Sequence, residues 1–184
     1  MPAVSKAISE EKIEGQITLT RVEIKVEASK DVNSVELMIP IAAIRSLVDG
    51  RIDEFAITTM LASISFDQQA LSTILTAATE DVKVMITKSD AMNFSEEIKQ
   101  SAGDRAVYAF RVTSGDQIIS DFNGNVVVAL PYTPKPNEDR NAIVIYYINA
   151  QGEIEVVKDS RYDAVTGMVI FRTNHFSYYA IGYS

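Results

Sequence analysis

From Ala106 to the end of the chain, short apolar runs alternate with glycine-centred turns, and this punctuation limits the fold more than any other feature. The runs are Ala106–Thr113, Ile118–Phe122, Val126–Leu130, Ala142–Ile148, Ile154–Lys158, Met168–Arg172 and His175–Tyr183. Between them stand Ser114-Gly115-Asp116, Asn123-Gly124, Gln151-Gly152 and Thr166-Gly167. Glycine supplies the positive φ of tight hairpins, and Asn-Gly is the strongest short hairpin signal. About seven short strands in some eighty residues predict a β-sandwich.

The first half carries a different order. Ile17, Leu19, Val22, Ile24 and Val26 alternate with polar residues as a half-buried strand, with one slip at Thr20-Arg21 that predicts a bulge. A duplicated unit follows. Strand Val35–Ile39, helix Ile41–Val48 and strand Glu54–Thr59 are echoed by Ser63–Phe66, Gln68–Ala78 and Asp81–Thr87, offset by about 27 residues. Ile44-Leu47-Val48 and Leu71-Ile74-Leu75 are the buried stripes of the two helices. Pro40 and Asp67 open them, as a first-turn proline and an N-cap. Residues 1–14 read as a flexible lead-in, and Lys88–Asp104, with a helical turn at Ser95–Gln100, reads as a seam. The expected fold is mainly β (α+β overall): an α+β unit over 15–92, then a β-sandwich over 93–184.

Bulk chemistry excludes several functions. The net charge of −8, from 25 acidic and 17 basic residues, repels a phosphate backbone and argues against nucleic acid. The absence of cysteine removes disulfides, thiolate metal sites and a thiol nucleophile. No apolar run reaches the ~20 residues of a transmembrane helix, and Met1-Pro2-Ala3-Val4 does not open a signal peptide.

The C-terminal half is similar in its ordered motifs to a known family. These are Thr113–Gly124, Val126–Thr133, Asn141–Ile148, Tyr162–Gly167 and Thr173–Ala180. Together they resemble the β-rich module that accompanies S-layer homology repeats in cell-surface proteins and glycoside hydrolases of clostridia and related Gram-positive bacteria. The strand-Ile39-Pro40-helix pattern resembles what precedes that module. Arg140 departs from the pattern, where such modules often carry proline. The resemblance implies an extracellular, cell-wall or S-layer setting. It also implies a non-catalytic spacer or interaction role beside neighbouring modules of the same polypeptide, and it carries over no catalytic residues and no cofactor.

Three chemical alternatives come from the residues themselves. His175-Phe176-Ser177 has the order needed for self-cleavage: the Ser177 hydroxyl attacks the Phe176 carbonyl while His175 takes its proton. The simpler reading makes it a strand start, with Phe176, Tyr178 and Ala180 on one face. Tyr146, Tyr147, Tyr178 and Tyr179 are candidate glycan-facing aromatics, for cell-wall or plant polysaccharide. Asn137-Glu138-Asp139 and the segment Asp159–Asp163 are oxygen-rich loops open to calcium, without the twelve-residue ligand spacing of a dedicated site. With one histidine and no Gly-x-Ser-x-Gly, a serine hydrolase lacks its parts. The remaining carboxylates are spread over turns and polar strand faces, as on a solvated surface.

Overall fold

The computed structural model describes residues 3–13, 17–27, 32–90 and 94–183, with side chains from Thr20 onward. The elements are β1 (Ala3–Ile13), β2 (Ile17–Glu27), β3 (Ser34–Ile39), α1 (Ile41–Asp49), β4 (Glu54–Thr58), β5 (Ser63–Asp67), α2 (Gln68–Ala77), β6 (Val82–Asp90) and α3 (Glu96–Ala102). They continue as β7 (Ala106–Ser114), β8 (Gln117–Ile119), β9 (Asp121–Pro131), β10 (Ile143–Ile148), β11 (Ile154–Val157), β12 (Ser160–Asp163), β13 (Met168–His175) and β14 (Tyr178–Tyr183). Among the described residues the fold is mainly β, a sandwich of two sheets with three α-helices. One sheet runs β1-β2-β4-β5-β9-β13-β12 and the other β11-β10-β14-β7-β6-β3, with β8 added on β7.

Each sheet draws strands from both halves of the sequence. β5 pairs with β9, and β6 pairs with β7 across the expected seam. The first half is therefore no separate unit on which a sandwich docks; its strands complete both sheets around one core. Nor is the described part of the expected lead-in, residues 3–13, a loose segment. β1 pairs with β2 from Ala3↔Glu27 to Ile13↔Ile17, and the unbroken register leaves no bulge at Thr20-Arg21.

The duplicated unit explains how the sheets are tied together. β3 lies in one sheet and β4 in the other, with α1 between them; β5, α2 and β6 make the return crossing. β3 pairs with β6 through Ile39↔Val82 and Leu37↔Val84, while β4 pairs with β5 through Phe55↔Phe66 and Ile57↔Ile64. Applying the repeat offset converts one set of pairs into the other. The two copies thus associate like an isologous dimer about an approximate two-fold axis. Ile44 of α1 and Leu71 and Ile74 of α2 are buried in the common core.

Capping follows the sequence at α2 and departs from it at α1. The Asp67 carboxylate accepts the Ala70 N–H at 2.8 Å. Pro40 occupies the N-cap position of α1 and offers no side-chain bond. Instead Asp81, from the other copy of the repeat, accepts the Ile41 N–H at 3.0 Å. Ser114 is the buried polar side chain among the described residues. Its hydroxyl donates to the Glu80 carbonyl at 2.6 Å and accepts from the Thr79 and Glu80 amides, fixing the turn after α2 to the end of β7.

Asn123-Gly124 is not the expected hairpin. β9 continues through it without interruption, with Asn123 at φ 49°. The positive φ serves a kink that brings the strand against the start of α2. There the second Asp67 oxygen accepts the Asn125 N–H at 2.9 Å. A Cβ on Gly124 would stand 2.6 Å from both the Ala70 nitrogen and Asp67 Oδ1. Gly124→Ala therefore forces strand and helix apart. It should cost roughly 1–3 kcal/mol, the usual range for overpacking, read as a lowered urea midpoint. A midpoint equal to that of the parent protein would refute this account of the kink.

Candidate functional site

The His-Phe-Ser tripeptide is the point where the chain changes sheets. β13 ends at His175 in one sheet and β14 begins at Tyr178 in the other, so His175–Tyr183 is not one strand. The register against β9 also shifts between Thr173 and His175. Phe176 is buried among Phe66, Phe110 and Phe122, with ring centroids 6.0, 5.4 and 4.7 Å away. Its N–H donates to the Ser120 carbonyl, and the Ser177 carbonyl accepts from the Phe110 amide. This crossing resets the alternation. Phe176 and Tyr179 point between the sheets, whereas Tyr178 and Ala180 lie on the outside with α3.

The two residues needed for self-cleavage have different partners. The Ser177 hydroxyl donates to the Ile148 carbonyl at 3.2 Å. The His175 ring meets the Tyr179 hydroxyl through Nδ1 at 3.2 Å and stands edge-on to Tyr147, with centroids 4.7 Å apart. Tyr179 is fully buried. Its hydroxyl donates to the His175 carbonyl at 2.7 Å and pairs with the Thr173 hydroxyl at 2.9 Å. Burial raises the pKa of this phenol, so it stays protonated and able to donate. A tyrosine bonding back to nearby backbone fixes a corner between sheets.

The four tyrosines do not form one platform. Tyr147 and Tyr179 face between the sheets, their rings 5.8 Å apart. Tyr146 lies over Gly182 on the outer face, where a Cβ would stand 2.0 Å from its Cε2. Tyr178, 41% exposed, packs edge-on to Phe94 at 5.7 Å.

Tyr147, Tyr179 and His175 do converge, with Glu155, Arg172 and Asn174, on a cleft of about 330 Å³ where β10 and β11 face β9 and β13. Tyr147 and Glu155 are direct cross-strand partners. Arg172 is paired with Asp159 at 3.6 Å, an exposed contact. Sequence reasoning found the tyrosines and the histidine. It read Glu155 as a plain surface charge, because nothing local signals that β11 sets it beside Tyr147.

The oxygen-rich loops are occupied by protein partners. Glu138 pairs with the Arg105 guanidinium, accepts the Tyr132 hydroxyl at 2.5 Å and accepts the Lys135 N–H at 2.9 Å. Arg105 lies over the Tyr183 ring, whose hydroxyl accepts the Asp139 N–H at 2.7 Å. Asp139 caps the following 3₁₀ turn through the Asn141 N–H, and Asp163 accepts the Val165 N–H. Among the described residues no group of three or more His, Asp or Glu converges to hold a metal ion. The same clamp forms a wall of a larger cavity of about 710 Å³ lined also by Lys88 and Asp104.

No protein-family model matches the chain, and no curated protein matches it. None of its described helices is long and apolar enough to cross a membrane.

The clamp has a pH signature. Burial disfavours the Glu138 charge, but the bonds from Tyr132, Lys135 and Arg105 outweigh it and hold the carboxyl at about 2, below its ordinary 4.5. A folded-state value below the unfolded one gives stability that is complete above pH 4.5 and lost as pH falls toward 2. Urea unfolding across this window should show falling stability that is flattened in Glu138→Gln. Parallel profiles for the two proteins would exclude the clamp as a source of acid sensitivity.

Proposed function

We propose that this chain is a non-catalytic structural and interaction module of a secreted bacterial cell-surface protein, a rigid acidic spacer beside neighbouring modules. The observation that carries the reading is the shared core. A polypeptide that changes sheets at α1, at α2 and at Phe176 resists partial opening, because no sheet can leave without strands from both halves. The clamp of Arg105 on Tyr183 supports it further, since it anchors the end of β14 to the body. The surface address rests on the ordered resemblance from Thr113 to Ala180, and the acidic exterior suits a soluble body among other modules.

Carbohydrate binding is the second reading, favoured by the cleft at Tyr147 and His175, where an aromatic ring and polar side chains converge.

Two measurements test the structural reading. Amide exchange in β3–β6 and in β10–β14, followed through urea unfolding, should report a single coincident transition. Two separated transitions would overturn the single rigid body. Protease applied to intact cells that make this chain should release its peptides; recovery only after lysis would overturn the surface address. The Phe176–Ser177 bond is expected to stay intact, giving one species of 20.3 kDa on prolonged incubation. A fragment beginning at Ser177 that disappears in His175→Ala would replace the spacer reading with self-processing.

A further inference from the structure

We propose that the cleft between the ends of β10–β11 and β9–β13 is a saccharide site that seats one pyranose ring of a neutral glycan against Tyr147. This rests on the carbohydrate reading above and gives it an address, a ligand class and named contacts.

The hydrogen-bonding pattern fixes what the cleft offers. Tyr179 has one hydroxyl proton, which it donates to the His175 carbonyl at 2.7 Å. The same oxygen lies 3.2 Å from His175 Nδ1, so that ring nitrogen is engaged within the protein. Among the described residues Nε2 has no hydrogen-bond partner. Glu155 is exposed and carries no ion pair among the described residues, which adds a free acceptor beside Tyr147. Asn125 and Asn174 bring side-chain amides that have no partner among the described residues, and the exposed Arg172 adds guanidinium donors. Donors and acceptors therefore surround one half-buried aromatic ring.

A pyranose matches that set better than an ion or an apolar ligand does. Its axial C–H groups pack on an aromatic face, while each hydroxyl both donates and accepts. Glu155 opposes an anion, and the Arg172–Asp159 pair cancels its own charge locally. The volume, about 330 Å³, lies at the lower end of the ~300–1,000 Å³ of small-molecule sites and suits a single ring with its neighbours outside. The outer tyrosines do not take part: Tyr146 is seated on Gly182 and Tyr178 on Phe94.

The test is an amide-shift titration of the whole labelled chain with cellotriose, xylotriose and chitotriose, each at millimolar concentration. At least one should give saturable shifts at Tyr147, Glu155 and Thr173–His175. Tyr147→Ala and Glu155→Ala should each weaken it about tenfold or more, and Tyr178→Ala should leave it unchanged. Tyr147 also packs against His175 and Tyr179. Glu155→Ala removes an exposed side chain that has no ion pair among the described residues, and so separates lost binding from lost fold. Saturable shifts elsewhere, or binding untouched by both substitutions, would overturn this site while leaving the carbohydrate reading in place. No saturable shift with any of the three sugars would overturn both.

Discussion

The aromatic cluster around Phe176 is the interaction on which the rest of the architecture depends. Phe66 comes from β5, Phe110 from β7, Phe122 from β9 and Phe176 from the crossing itself, so both sheets and both halves of the sequence meet there. Aromatic pairs add about 0.5–1.5 kcal/mol each beyond the area they bury. Their larger effect is on topology. A core made by one half alone would lose the contacts of Phe66 with Phe122 and Phe176, and the apolar inner face of either sheet would remain open to water. The pseudo-symmetric repeat serves the same requirement. By sending α1 and α2 across in opposite directions it delivers β4 and β5 to one sheet and β3 and β6 to the other, each pair already in register.

Local structure was legible in the sequence to the extent that local forces decide it. The alternation in β2 to β6, the helical stripes of α1 and α2, and the Asp67 cap all depend on neighbours a few residues away. Sheet membership does not. Alternation says that Val84 and Val112 face inward, but either sheet would satisfy that, and only the pairing of β6 with β7 decides it. The Asn123-Gly124 kink was hidden for a related reason. A positive φ suits a hairpin and a bent strand equally, and the choice was made by α2, which lies more than forty residues earlier. At β14 the pattern changed phase because the chain changed sheets, so Tyr179 went inside and Tyr178 outside. The candidate site inherited that error: the tyrosine pairs were visible, their division between two faces was not.

Charge is used sparingly inside this acidic protein. The pairs of Arg172 with Asp159 and Lys99 with Glu96 are exposed and contribute little. Arg105 and Glu138 differ because both side chains are nearly enclosed, at 13% and 7% exposure. A buried pair is weak evidence for stability in itself, since desolvation offsets its attraction. What this one supplies is position. Its hydrogen bonds reach Tyr132 and the Lys135 backbone, and Arg105 also bonds the Ala102 carbonyl at the end of α3. One guanidinium thus ties the 131–139 loop to α3, and its stacking on Tyr183 extends the tie to β14.

These packing demands also govern the lone histidine. Attack of Ser177 on the preceding carbonyl needs a strained peptide and a base beside the hydroxyl. Positive φ among the described non-glycine residues is confined to Arg51 and Asn123, so the tripeptide draws no strain from that source. The Phe176 ring is locked in the core, and backbone bonds to Ser120 and Phe110 hold the linkage from either side. His175 is turned away by Tyr179, whose buried hydroxyl engages both its carbonyl and its Nδ1. The residue that defines the crossing between the sheets therefore also holds the imidazole, beside Tyr147 at the cleft, while the Ser177 hydroxyl is bound to the Ile148 carbonyl.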